Sequence, residues 1–127
     1  MKPETERGVH LAEHDLRMAA YARREKMFEQ CVYHCHQAIE KLLKATWTER
    51  REQGTVPRTH NLAGLANDLF AEIAEEDLLL LQRLARQYLP TRYSEYEAEY
   101  SAREAGEYYN RTSEIFSWLR QQLTSTD

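Results

Sequence analysis

Cys31, His34, Cys35 and His36 stand within one six-residue stretch, the densest group of reactive side chains in the 127-residue chain. Thiolates and imidazoles are zinc ligands, and His10 and His14, one helical turn apart, are the natural source of two more. The spacing favours a different use. Cys31 and Cys35 fall on the apolar seam of a helix, where free cysteine packs as a small hydrophobe. Core packing is therefore expected and no metal, with Cys31, Cys35, His10 and His14 as the alternative.

A second concentration lies late in the chain. Six of the eight tyrosines (Tyr88, Tyr93, Tyr96, Tyr100, Tyr108 and Tyr109) gather around Arg92. Rings that stack on bases, together with a forked cation that grips phosphate, are the chemistry of a nucleotide or single-stranded RNA site. The same amphipathic rings also suit a half-buried bundle end. Arg92 is read as either a phosphate ligand or a clamp on the acidic loop that holds it. His60, beside a helix start in a Pro-containing loop, is the single candidate for acid–base work, and a capping role explains it equally well. The chain carries no Gly-rich phosphate loop, no ordered Ser/His/Asp set and no Glu-x-x-His pair, so no cofactor is expected.

The elements that must carry these residues are helical. From Phe28, small or apolar residues recur at Cys31, Val32, Cys35, Ile39, Leu42, Leu43 and Thr46, the spacing of one helix face. Gln37, Glu40, Lys41 and Lys44 occupy the opposite face, with Glu40 and Lys44 in the favourable i,i+4 order. This spine is expected to run from Phe28 to near Gln53, with Gly54 as its C-cap. A first helix over about Val9 to Arg24, rich in small residues, should pack antiparallel to it across a turn at Glu25 to Met27. After the loop GTVPRTHN, in which Thr59 can cap the next helix, come helices reading Leu62, Leu65, Ala66, Leu69 and then Leu78, Leu81, Leu84. Pro90 stops the latter. Ser101 and Glu104 form an S-x-x-E capping box for a last helix with the seam Ala102, Ala105, Tyr109, Thr112, Phe116, Leu119, Leu123.

These segments make one all-α domain over residues 1–127, an up-and-down bundle of about five helices with its core in about 9–123. A hydrophobic fraction of 42% and a charged fraction of 30% are those of a globular protein, and no apolar run approaches the length of a membrane span. MKPETERG lacks a signal peptide's apolar stretch, so a cytoplasmic location with reduced thiols is expected. The net charge of −4 argues against a protein whose whole surface binds nucleic acid. Five amphipathic segments carry more apolar stripe than one small bundle encloses, which points to a homodimer or larger oligomer.

Three motifs occur in order: YHCHQAIEKLLKA (Tyr33 to Ala45), P-x-T-H-x-L (Pro57 to Leu62) and YLPTRY (Tyr88 to Tyr93), followed by a helix ending SWLRQQL. Together they resemble the HEPN family, "higher eukaryotes and prokaryotes nucleotide-binding", over about Leu11 to Leu123. The resemblance implies an all-helical bundle that self-associates and works as the non-enzymatic regulatory partner of a minimal nucleotidyltransferase. It also implies nucleotide or RNA association through Thr91, Arg92, Tyr93 and Tyr96 of the late loop, and through Gln37, Glu40 and Lys41 of the spine. Some HEPN proteins resemble one another further as metal-independent ribonucleases with a late Arg and His four to six residues apart. This chain has no histidine after His60, and the pair Arg7 and His14 lies at the opposite end. A ribonuclease toxin is thus the alternative, and a purely structural oligomerisation module the third reading.

Overall fold

The computed structural model describes residues 1–51, 54–88 and 99–124. Among them are five helices and no strands: α1 (Pro3–Arg24), α2 (Phe28–Arg50), α3 (Leu62–Leu69), α4 (Glu75–Arg86) and α5 (Ala102–Thr124). One apolar core draws on all five, centred on Ile39, Leu42 and Leu43 of α2, with Leu62, Leu81, Leu84, Ile115 and Leu119 fully buried around them.

The helical hairpin α1/α2 is the foundation. Contacts at Lys2 with Glu49, Gly8 with Ala45 and Asp15 with His34 and Lys41 step in opposite directions along the two helices, so they run antiparallel. Small residues allow the close approach: a Cβ on Gly8 would sit 3.0 Å from that of Ala45, and Ala12, Ala19 and Ala22 are buried along the same seam. The turn is a Schellman motif, with Met27 N bonding Ala22 O at 2.7 Å and Lys26 N bonding Arg23 O at 3.1 Å. Lys26 takes the left-handed position, at φ 61°, that glycine usually fills.

Several boundaries differ from those expected, each for a local reason. Helix α1 begins at Pro3 rather than near Val9, because Pro3 opens the first turn, Glu4 and Glu6 follow there, and Thr5 is buried. Helix α2 ends at Arg50, short of Gln53, and its C-cap is the extended Arg51 rather than Gly54. Lys2 crosses from α1 to donate to the carbonyls of Thr48 and Arg51, at 2.8 and 3.1 Å, which satisfies groups that a continuing helix would have used. The side chain that caps α3 is Asn61, accepting from Gly64 N at 3.1 Å, while Thr59 accepts from Asn61 N one step earlier. Glu75, Glu76 and Asp77 form the first turn of α4, where acidic side chains meet the positive end of the helix dipole.

The last helix opens as its capping box predicts. Glu104 N donates to Ser101 Oγ at 3.0 Å, and Ser101 N donates back to Glu104 Oε1 at 3.1 Å. Its buried face is broader than the expected seam, adding Gly106, Tyr108 and Ile115, while Ala102 is exposed. No helix among the described residues is long and apolar enough to cross a membrane.

Candidate functional site

Two buried carboxylates lie on or against α2, and each holds one histidine and one lysine. Glu40 is the first. It sits one helical turn after His36, so both side chains leave the same face, the one that meets the loop before α3. That loop brings His60 onto Glu40, with His60 Nδ1 donating to Glu40 Oε1 at 2.6 Å. Lys44, a turn further on, reaches Glu40 Oε2 at 3.4 Å. Tyr88, beyond the end of α4, stacks on His60 with ring centroids 4.0 Å apart and planes 20° apart. The same tyrosine lies 4.8 Å from the His36 ring. Phenol, two imidazoles, a carboxylate and an ammonium thus meet in one place.

The members of this cluster differ in freedom. Glu40 is buried, whereas the side chain of His60 is 51% exposed and borders solvent. His36 is fully buried, and its Nδ1 faces Gln37 Oε1 at 3.2 Å. With the Gln37 amide oxygen turned toward the ring, the contact is a hydrogen bond when the ring proton is on Nδ1, the tautomer that leaves Nε2 with a lone pair. Nε2 has no hydrogen-bond partner, and the nearest Glu40 oxygen is 4.0 Å away. Burial is the main cause that lowers the His36 pKa below its ordinary 6.5, outweighing the upward pull of Glu40, Gln37 and the His60 backbone. The ring is therefore neutral at physiological pH.

Asp15 of α1 is the second carboxylate. His34 Nδ1 lies 2.7 Å from its Oδ1, and Lys41 Nζ donates to its Oδ2. Burial alone would raise the Asp15 pKa, but the hydrogen bonds and charges of His34 and Lys41 together hold it below 3.8. Each Asp15 oxygen has a charged or ring partner, and the group fastens α1 to α2.

The ligand-binding set expected from the resemblance is therefore divided. Glu40 sits in the cluster with His60, Gln37 supports it through His36, and Lys41 turns to Asp15. Thr91, Arg92, Tyr93 and Tyr96 lie outside the described residues. Cys31 and Cys35 are wholly buried, as core packing requires, with Cys31 Sγ 3.9 Å from Ala105 O. The hydrogen bond Cys35 shares with Cys31, reinforced by burial, pushes its thiol well above the ordinary range and keeps it protonated. His10 and His14 are exposed on α1. Among the described residues, the group of three or more potential ligand atoms drawn together is instead His36, Glu40 and His60, all within 4.8 Å of one another. By periodicity alone, His36 falls beside the buried cysteines. The His-x-x-x-Glu spacing was the available signal, but its partner, His60, is twenty residues further on.

One or more residues from each motif, His36 and Glu40, His60 and Tyr88, thus meet in one cluster, and the comparisons with known proteins agree with the fold that brings them there. The HEPN domain family matches residues 6–122. The chain belongs to the HEPN family. TT1696 from Thermus thermophilus has a similar structure, with a TM-score of 0.81 at 23% identity over 94% of this chain and 98% of that one. ST0689, an archaeal HEPN homologue, matches with a TM-score of 0.75 at 26% identity over 98% of this chain and 100% of its own. No match was found among curated proteins.

Proposed function

We propose that this HEPN chain is a non-catalytic, self-associating module that binds a nucleotide or RNA and regulates a minimal nucleotidyltransferase. One observation supports the reading. Segments far apart in sequence, His36 and Glu40 in the spine, His60 in the P-x-T-H-x-L loop and Tyr88 at the head of YLPTRY, meet in a single half-open cluster. Stacked rings at such a place form a platform for a base, and Lys44 supplies positive charge beside it. Thr91, Arg92, Tyr93 and Tyr96 follow Tyr88 in sequence, and their hydroxyl, forked cation and ring faces complete the chemistry a nucleotide needs.

The test has two arms. The untagged chain should co-purify with a minimal nucleotidyltransferase encoded beside it. Arg92→Ala should weaken nucleotide or RNA binding by roughly tenfold or more, the scale of one charge-assisted contact, while the melting temperature stays within a few degrees. A melting temperature lowered by about 10 °C with affinity unchanged would make Arg92 a structural clamp. Cleavage of RNA in chelator, abolished by His60→Ala, would replace the regulatory reading with a ribonuclease.

A further inference from the structure

We propose that His36, Glu40 and His60 form a binding site for a divalent transition-metal ion of the zinc class, held by His36 Nε2, a Glu40 carboxylate oxygen and His60 Nδ1. This set is distinct from the cysteine-containing one that the sequence raises. It does not depend on nucleotide binding, because the metal is titrated alone.

The first argument is an unfilled valence. A fully buried imidazole nitrogen normally has a partner, since an unpaired buried polar atom costs stability. His36 Nε2 has none, and it faces a carboxylate oxygen 4.0 Å away. A lone pair and a carboxylate oxygen repel each other unless something electrophilic lies between them. A cation bound to both removes that repulsion.

The second argument is geometric. Zinc bonds of about 2.0–2.2 Å place neighbouring tetrahedral ligand atoms roughly 3.4 Å apart. The three ligand atoms here lie within 4.8 Å of one another, so adjustments on the scale of an ångström suffice. Helical i,i+4 spacing fixes two ligands, His36 and Glu40, on one face, the arrangement that lets a helix present a metal pair. The third ligand supplies the movement: His60 is half exposed in a loop, so its ring proton can pass through solvent from Nδ1 to Nε2, and its 2.6 Å hydrogen bond to Glu40 is exchanged for a metal bond.

The surroundings meet the other demands of such a site. Gln37 accepts the His36 Nδ1 proton, the outer contact that fixes the tautomer with Nε2 free to ligate. Lys44 contacts Glu40 Oε2 and leaves Oε1 to the metal, although its charge moderates affinity. Two imidazoles with one carboxylate suit zinc, cobalt or nickel rather than magnesium or calcium, which prefer oxygen donors. Three protein ligands leave a fourth position open, as in sites that take water or an exogenous oxygen.

The experiment uses the full chain stripped with chelator and titrated with zinc chloride by calorimetry, and with cobalt chloride by visible absorption. One ion per chain, tetrahedral cobalt bands and a zinc-dependent rise in melting temperature are expected. His60→Ala, at a half-exposed loop position, should still fold, shown by an unchanged helical circular dichroism spectrum, and should lose affinity by roughly a hundredfold or more. Glu40→Gln should do the same. The exposed surface pair His10→Ala/His14→Ala should leave binding unchanged. No zinc binding at micromolar concentration would overturn the proposal and leave a bridging water as the partner of His36. Binding unaffected by His60→Ala, or abolished by the His10/His14 pair, would overturn it too, as an adventitious surface site.

Discussion

Asp15 and Glu40 are built from the same parts and left in different states. Each is a buried carboxylate with one histidine and one lysine. Around Asp15 the partners sit on the facing helix, both oxygens are engaged, and the contact spans the α1/α2 seam. Around Glu40 the lysine is a neighbour on the same helix, the histidine comes from a half-exposed loop, and a second, fully buried histidine keeps an unpaired nitrogen. A polar group closed between two helices acts as a fastener. A group that keeps an unmet valence beside an accessible ring is open to something outside the chain.

The comparison breaks first at Asp15→Ala. That substitution removes two charge-assisted contacts across the seam, but Lys41 and His34 keep partial access to water, which moderates the loss. A cost of about 2–3 kcal/mol is expected, or roughly 8–12 °C in thermal unfolding of a domain this size. Metal and nucleotide binding by the folded fraction should not change. Glu40→Gln should have the opposite profile. The amide has the carboxylate's shape and its oxygen can still accept a hydrogen bond, so the cost should stay near that of one such bond, about 1 kcal/mol, while metal binding is lost. Equal destabilisation by the two changes would erase the distinction.

Acid sharpens the contrast by a smaller amount. The folded-state pKa of Asp15 is depressed, so its stabilisation is fully present above the ordinary value of 3.8 and is lost as pH falls through the folded-state pKa beneath it. The stability difference between the wild type and Asp15→Asn should therefore be flat from neutral pH to the ordinary carboxylate range and shrink below it. Denaturant titrations across that range check this. A difference that grows with acid would mean that Asp15 is not held ionised by His34 and Lys41.

Much of the fold was legible in the sequence because it is written locally. The 3.6-residue period located α2, the S-x-x-E box marked the start of α5, and the Cys31/Cys35 seam lies in the core, where its spacing puts it. The differences lie at helix ends: Lys2 closes α2 from the start of α1, a contact no local pattern announces, while Asn61 displaces Thr59, two residues earlier, as the cap of α3. The candidate site was legible only in pieces. Glu40 and His60 were each singled out, but nothing in periodicity pairs residues twenty apart. His36 was hidden because a histidine beside a buried cysteine reads as core, and a single unpaired nitrogen is visible only with coordinates. Asp15, a polar residue within a small-residue helix, gave no signal, so Lys41 looked available for ligand.

The chain's five histidines provide a direct readout. His36 and His60 mark the Glu40 cluster, His34 marks the Asp15 fastener, and His10 and His14 mark the exposed face of α1. The decisive measurement is a titration of metal-free protein with a nucleoside triphosphate or a short single-stranded RNA, followed through the five histidine ring resonances by NMR. The account predicts that the His36 and His60 signals move together and saturably while those of His34, His10 and His14 stay in place. Movement confined to His34 or to the α1 pair, or no movement at saturating ligand, would contradict it.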